Sequence, residues 1–306
     1  MSFEAAEVRS DSVDSLSILC VIPTHGRDVM LAEAIASAQA QTLCPARIVV
    51  VDDLGRQETR NKVSEIAETS RIPLSYVDLA GGTGAGASAS RNAGARGAEE
   101  DFIAFLDDDD LWETRFLSQA VSVLRADTSV SMVVSWTVMA RGNYRGQGLR
   151  LLESVPVENA LGRNPGLTGS NFVIRSNAFD SMNGFDETLH VANDKDFFIR
   201  FLDFGLMYKV VAEELVVQRA HDEGQLTSRT ERRALGLEKF QAKYASRMTQ
   251  SDRREMSRVI HGIRRHTSTS KVRSGYHLLA QVMADNPTRV MKSILSRVLG
   301  RPTMYK

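Results

Sequence analysis

The chain has 306 residues, 42% of them hydrophobic and 25% charged, with a formal net charge of zero. That is the composition of an ordinary soluble globular protein, and it excludes collagen-like, low-complexity and disulfide-dense chains. The length allows one large domain, or one domain with an appendage. The zero balance conceals a split, because residues 1–224 carry 20 Lys+Arg against 33 Asp+Glu, whereas residues 225–306 carry 18 against 5. The C-terminal portion is therefore a different, basic surface, and an anionic partner is expected there.

Residues 1–15 are acidic and polar. They lack the positive start and apolar core of a secretory signal, and they read as disordered. Cys20 lies in an apolar run and Cys44 stands before Pro45, which reads as two unpaired core or near-core thiols in a reducing cytoplasm. No apolar run approaches the length needed to span a bilayer.

Leu16 to Pro23 reads as a buried strand ending in Thr24-His25-Gly26-Arg27, with Asp28 as the N-cap of a helix over Val29 to Gln41. Ile48 to Val51 is a second continuous apolar strand and runs into Asp52-Asp53. A helix from about Glu58 to Ser70, a strand near Leu74 to Val77, a Gly81 to Gly86 loop and a small-residue helix from Ser88 to Gly97 follow. Phe102 to Leu106 is the fourth strand and leads into four consecutive carboxylates, Asp107 to Asp110.

Continuous apolar strands alternating with helices imply an α/β fold, a mostly parallel sheet flanked by helices on both faces. Ligands of such sheets bind beyond the carboxyl ends of the strands. Three strands leave that edge carrying Thr24 to Arg27, Asp52-Asp53 and Asp107 to Asp110. A lone acidic turn is equally compatible with solvation, but independent acidic turns rarely all fall at one edge. Concentrated carboxylates there call for a divalent cation.

After Trp112 a helix is expected to about Arg125, then a strand over Val130 to Ala140, a loop at Gly142 to Gly148 and a strand over Thr168 to Arg175. A turn at Met182 to Glu187 precedes a helix over Asp194 to Phe204 that buries Phe197, Phe198, Phe201 and Leu202. Strands near Met207 to Ala212 and Leu215 to Arg219 lead to His221, and the remainder reads as helical and basic.

With these residues in view, residues 16 to about 225 resemble the family 2 inverting glycosyltransferases, whose nucleotide-diphospho-sugar transferase fold is called GT-A. The resemblance rests on V-I-P-T-H-G-R, I-V-V-V-D-D, S-R-N-A-G-A-R-G, D-F-I-A-F-L-D-D-D-D-L-W, M-N-G-F-D-E with N-D-K-D-F-F-I-R, and R-A-H-D-E-G-Q-L-T, in that order. It departs from the family's pattern at His25-Gly26 and at Asn193, where Glu is frequent. The implied division is a disordered segment 1–15, a catalytic domain 16–225 and a basic helical region 226–306.

The resemblance implies a nucleotide-sugar donor, typically a UDP-sugar. Pro23 and Thr24 contact its nucleoside, and Arg27 lies in the same donor motif. Asp53 accepts from the base N–H, which suits a carboxylate that can only accept, and Asp52 supports the turn. Arg91-Asn92 opens the Ser88 helix, where the Arg91 fork either reaches the diphosphate or pairs with the neighbouring acids. Aligned by F-L-D-D-D-D-L-W, the metal motif is Asp107-Asp108-Asp109. Asp109 is its direct ligand of Mn²⁺ or Mg²⁺, Asp107 or Asp108 contacts the ribose or a metal-bound water, and His221 is the candidate to complete the site.

Asp194 matches the catalytic base, with Asp196 as the alternative by register, while Asp110 reads as a helix N-cap. Ser170, Asn171 and Trp112 are candidates to line the acceptor groove. The acceptor class implied is a glycan or a lipid-linked glycan, as in bacterial surface polysaccharide or cell-wall synthesis. Absence of the processive relatives' Q-x-x-R-W motif favours transfer of one sugar. A catalytically silent GT-A scaffold is the alternative.

Pro287 to Pro302 brackets a basic amphipathic stretch, with Val290, Met291, Ile294, Leu295, Val298 and Leu299 on one face. That pattern suits attachment to the inner face of a cytoplasmic membrane, or docking on the catalytic domain or on a second subunit of a homo-oligomer. Aromatic residues are too sparse there for a nucleic-acid stacking platform.

Overall fold

The computed structural model describes residues 16–81, 86–142, 144–220 and 230–284. The expectations for residues 1–15, His221 and the Pro287 to Pro302 stretch lie outside the described residues. The first half alternates as β1 (Ile18–Thr24), α1 (Asp28–Gln39), β2 (Arg47–Asp52), α2 (Gln57–Thr69), β3 (Leu74–Asp78), α3 (Ala87–Ala95) and β4 (Phe102–Phe105). It continues with β5 (Asp110–Trp112), α4 (Phe116–Ala126), β6 (Val130–Arg141), β7 (Tyr144–Gln147), α5 (Asn159–Gly162), β8 (Phe172–Arg175), α6 (Ser176–Ser181), α7 (Asn193–Asp203) and β9 (Met207–Arg219). Three helices follow, α8 (Glu231–Lys243), α9 (Gln250–Thr267) and α10 (Lys271–Ala284).

The strands form one sheet in the order β3-β2-β1-β4-β8-β6-β9-β5, with β7 paired to β6. From β3 to β4 every pairing is parallel, as the alternation with helices requires. β8 reverses direction against β4, and β5 closes the far edge antiparallel to β9. The inner strands β1, β2 and β4 are buried almost throughout because each face meets its own core, whereas the edge strand β3 buries none of its residues. Leu19 and Val21 of β1 join Ile103 and Phe105 of β4 on one side. Ile18, Cys20 and Ile22 join Phe102 and Ala104 on the other, under α1 and α4. Burial pushes the Cys20 thiol well up, leaving it an inert core group, whereas Cys44 is exposed.

α3 sits directly on β1 and β2. A Cβ on Gly94 would lie 2.4 Å from Val21 Cγ1 and 2.9 Å from Val51 Cγ2, so only glycine permits that approach. The close seat delivers Arg91, one turn earlier, to the strand exits.

Several expected elements are corrected. Asp28 is the first residue of α1 and not its N-cap, and its carboxylate accepts from Thr59 Oγ1 at 2.7 Å. The two strands expected before His221 are one strand, β9. The polar Glu213-Glu214 interruption is absorbed as register shifts against β6, where Ser135 pairs with Val211 and Trp136 with Glu214. Gly142 to Gly148 contains the hairpin strand β7. Thr168 to Asn171 is a buried turn, with the strand confined to β8.

The basic C-terminal helices do not stand apart. Ala234, Leu237, Phe240 and Tyr244 of the α8 segment and Met256, Ile260 and Ile263 of α9 belong to the same apolar cluster as Phe197 and Phe198 of α7. One core therefore crosses the expected boundary at residue 225. Phe240→Ala should lower stability by roughly 3–5 kcal/mol, read as one cooperative denaturant transition. An unchanged main transition with a separate early step would show that the C-terminal helices fold independently.

Candidate functional site

The carboxyl ends of β1, β2 and β4 meet at one edge, with Thr24 in register with Asp52. Asp52 is fully buried, and its carboxylate accepts from Leu54 N and Arg56 N at 2.9 Å each and from Tyr76 Oη at 2.8 Å. It holds the turn, and Asp53 is thereby presented to the edge. Asp53 Oδ1 lies 2.5 Å from His25 Nδ1.

The four carboxylates after β4 take two different environments. Asp108 is buried and ties down the exit of β1. It accepts from Thr24 Oγ1 at 2.7 Å and His25 N at 3.2 Å, and it pairs with Arg27 at 3.1 Å. Burial, reinforced by the neighbouring Asp109 charge and opposed by Arg27, pushes its carboxyl up to about 6. Thr24 and Asp108 were expected as donor contacts; they are buried and bonded to each other.

Asp107, Asp109 and Asp110 form the second environment, each offering an oxygen within 4.8 Å of the others. Asp107 pairs with Arg91, and Asp109 with Arg27. Asp110 is not a helix N-cap. It opens β5, its carboxylate accepts from Ser170 Oγ at 2.7 Å, and burial with the nearby Asp109 and Asp107 charges pushes its carboxyl well up. α4 begins only at Phe116. Carboxylate oxygens alone make this donor set, which fits Mn²⁺ or Mg²⁺.

Two further groups shape the turn: Arg219, which the sequence did not single out, and Gly169, expected with Ser170 and Asn171 to line the acceptor groove. Arg219 donates from Nε to the Asp109 carbonyl at 2.6 Å and from Nη2 to the Asp108 carbonyl at 3.2 Å. Gly169 leaves room for the Arg91 guanidinium, since a Cβ there would lie 2.0 Å from Arg91 Nη2 and 2.8 Å from Asp107 Oδ2.

Arg91 is buried, its guanidinium lies 5.2 Å over the Phe185 ring, and its Nε and Nη1 have no hydrogen-bond partner among the described residues. Buried unpaired N–H groups are costly, so a ligand oxygen is the natural complement. Asn92 is spent differently. Its Nδ2 donates to the Phe185 carbonyl at 2.9 Å and to Glu187 at 3.0 Å, while its Oδ1 accepts from Phe185 N at 2.8 Å. It clamps the Met182 to Glu187 turn and is not free for a donor.

The acceptor candidates are corrected in the same way. Ser170 and Asn171 are fully buried and Trp112 is 4% exposed. Ser170 Oγ accepts from Asp107 N at 3.0 Å, and the Trp112 indole donates to the Ser170 carbonyl at 2.8 Å while packing on Phe116. Asn171 Nδ2 donates to the Ser135 and Gly166 carbonyls. These side chains brace the acidic turn from behind.

Asp194 is the second residue of α7, behind Ala192, whose φ of +58° is left-handed, a conformation costing roughly 1–2 kcal/mol for a non-glycine. Asp194 Oδ1 accepts from Lys195 N at 2.7 Å and Oδ2 from Asn164 Nδ2 at 3.1 Å. Burial raises its carboxyl above the usual range, and it senses the opposing charges of Arg91, Lys195 and Asp107. Asn164 also accepts from Gly166 N and Leu167 N, so Asp194 is bonded to the turn whose Gly169 abuts Arg91 and Asp107. The register alternative, Asp196, is fully buried and committed to Arg200, Lys243 and Tyr244 Oη, leaving no free role.

The family model described as glycosyl transferase family 2 matches residues 19–182, more than half of the chain, and that of glycosyl transferase family group 2 matches residues 102–298. The chain is 27% identical over 135 residues to the Escherichia coli UDP-Glc:alpha-D-GlcNAc-diphosphoundecaprenol beta-1,3-glucosyltransferase WfgD, covering 44% of this chain and 51% of that one. It thus spans about half the length of that relative. In fold it resembles the mannosyltransferase PcManGT of Pyrobaculum calidifontis, solved with GDP-Man and Mn2+, at a TM-score of 0.62 and 18% identity over 94% of this chain and 81% of that one. It also resembles S. aureus TarS 1-349, solved with UDP-GlcNAc, at a TM-score of 0.57 and 17% identity over 87% and 70% of the two chains.

Adding Mn²⁺ should raise the unfolding midpoint, since a ligand at a hundredfold excess over its dissociation constant stabilises by about 2.7 kcal/mol. Asp109→Ala should abolish that response; a full response in the variant would remove Asp109 from the ligand set.

Proposed function

The chain belongs to glycosyl transferase family 2, and from that premise we propose an inverting, metal-dependent transfer of a single sugar from a UDP-sugar to a glycan or lipid-linked acceptor. The observation that carries this reading is Asp194 at the start of α7, bonded through Asn164 to the turn whose Gly169 abuts Arg91 and Asp107, the latter a member of the carboxylate cluster. An inverting transfer needs this pairing of one carboxylate for the acceptor with a charge-compensated pocket for the leaving diphosphate.

Each residue then has a task. Asp53, with the backbone at Pro23 and Thr24, receives the nucleoside. Arg91 turns its unpaired Nε and Nη1 to diphosphate oxygens. Asp107, Asp109 and Asp110 hold Mn²⁺ or Mg²⁺, which when bound neutralises charge on the leaving group. Asp194 takes the proton of the acceptor hydroxyl as that oxygen bonds to the anomeric carbon. The bond from that carbon to the nucleoside diphosphate breaks, with inversion.

The relatives support the substrate classes. The E. coli protein is named for UDP-Glc and a diphosphoundecaprenol-linked acceptor, and TarS was solved with UDP-GlcNAc. Among the described residues no helix is long and apolar enough to cross a membrane.

Asp194→Asn should keep UDP binding by calorimetry while transfer, followed by UDP release with acceptor present, falls roughly 10²- to 10⁴-fold. Loss of UDP binding instead would make Asp194 a structural or nucleotide contact. Because the base must be ionised, the parent's transfer rate should fall as pH drops through the raised Asp194 pKa, above the usual carboxylate range. A pH-independent rate across that range would contradict the assignment.

A further inference from the structure

α10 packs on α9 along one side only. Ser274 Oγ donates to the Arg265 carbonyl at 3.3 Å, His277 Nδ1 lies 3.0 Å from His261 Nδ1, and Gln281 lies against Gly262. The other side repeats large apolar residues at helical spacing: Val272 is 83% exposed, Tyr276 63%, Leu279 61% and Met283 76%. At about 100° per residue these four share an arc of about 60° that faces away from Ser274, His277 and Gln281. Leu278 and Val282 add exposed apolar surface beside it, and α10 buries none of its residues. A contiguous apolar strip of this kind marks an interaction surface.

Charge selects the partner. Residues 256–284 contain Arg258, Arg264, Arg265, Lys271 and Arg273 and no carboxylate. Arg264 pairs with Glu231 and Glu238, and Arg258 with Glu255. Lys271 and Arg273, which flank the strip on either side, are exposed and form no ion pair among the described residues. A second copy of this face would oppose like charges. So would residues 285–306, where Arg289, Lys292, Arg297, Arg301 and Lys306 stand against Asp285 alone. The complement of the face is apolar at its centre and anionic at its rim, as in a bilayer interface with anionic headgroups.

We propose that α10 is a membrane-seating helix that lies in the interface of an anionic bilayer, its Val272-Tyr276-Leu279-Met283 strip toward the acyl chains and Lys271 and Arg273 on the headgroups. The long stems of those two cations cover the strip's margins while their charges stay in the polar layer. The contact stands on α10 alone. Only its use, bringing the site to a lipid-linked acceptor, rests on the functional reading above.

The test is flotation of the full chain with phosphatidylcholine vesicles, with and without phosphatidylglycerol, beside UDP release from donor in water. The parent should float with the anionic vesicles only. Lys271→Glu with Arg273→Glu should reduce partitioning about tenfold or more, each cation near an anionic leaflet contributing about a fivefold factor. Tyr276→Ser, Leu279→Ser and Met283→Ser combined should reduce it at least as far, with UDP release unchanged. Undiminished flotation of the triple variant, equal flotation on neutral vesicles, or no flotation of the parent would overturn the proposal. A parent dimer that the triple variant converts to monomer, without flotation, would assign the strip to a second copy. Absence of UDP release from the parent would count against the transfer reading and leave the flotation result standing.

Discussion

Four adjacent carboxylates at the end of a buried strand are the constraint on which the rest of this site depends. Two like charges 4 Å apart repel by about 4 kcal/mol at an effective dielectric near 20, so the turn persists only if neighbours compensate it. Arg27 pairs with Asp108 and Asp109, and Arg91 with Asp107. Arg219 donates to the Asp108 and Asp109 carbonyls, while Ser170 bridges Asp107 N and the Asp110 carboxylate. These partners come from the loop between β1 and α1, from α3, from β9 and from the turn before β8, which explains why distant segments converge on this edge.

The compensation is uneven, and the unevenness sorts the acids by role. Asp108 is buried and tied to the exit of β1, whereas Asp107, Asp109 and Asp110 share a cluster whose oxygens can converge on one cation. Arg91 pairs with Asp107 of that cluster and keeps two nitrogens without a partner among the described residues. Arg27 and Arg91 thus offset only part of the negative charge, which leaves the cluster acidic enough for a cation, while Arg91 keeps donors for a ligand that carries its own oxygens. Such preorganised, partly unsatisfied polarity is the usual mark of a site.

The candidate base is steadied from the C-terminal side. Asp196, two residues on from Asp194, accepts from Tyr244 Oη and pairs with Lys243 and Arg200, and Arg200 also donates to the Met182 and Gly184 carbonyls. Lys195 donates to the Leu161 carbonyl and lies 3.9 Å over the Phe240 ring, and burial lowers it to about 8. The basic helices therefore have two faces with different work: α8 and α9 complete the core beneath α7, and α10 turns its apolar strip outward.

Much of the parallel half was legible in the sequence, because a strand covered on both faces must be apolar throughout and its exit must carry the polar chemistry. Hence Ile18–Thr24, Arg47–Asp52 and Phe102–Phe105, and the acids that follow them, were found within a residue or two. The motif order also pointed to the family. What the sequence by itself determined was this periodicity and the position of each charged residue along the chain. Only the tertiary structure decided which polar groups face a ligand and which are spent on one another. Asn92, Ser170, Asn171 and Trp112 look like contact residues in one dimension, yet all four are bonded inside the fold, while Asp110 passes from a presumed cap into the carboxylate cluster. A side chain's type states which hydrogen bonds it can make. Its partners come from segments far away in the chain, such as Ser170 and Asp110, and those exist only once the sheet has brought them together.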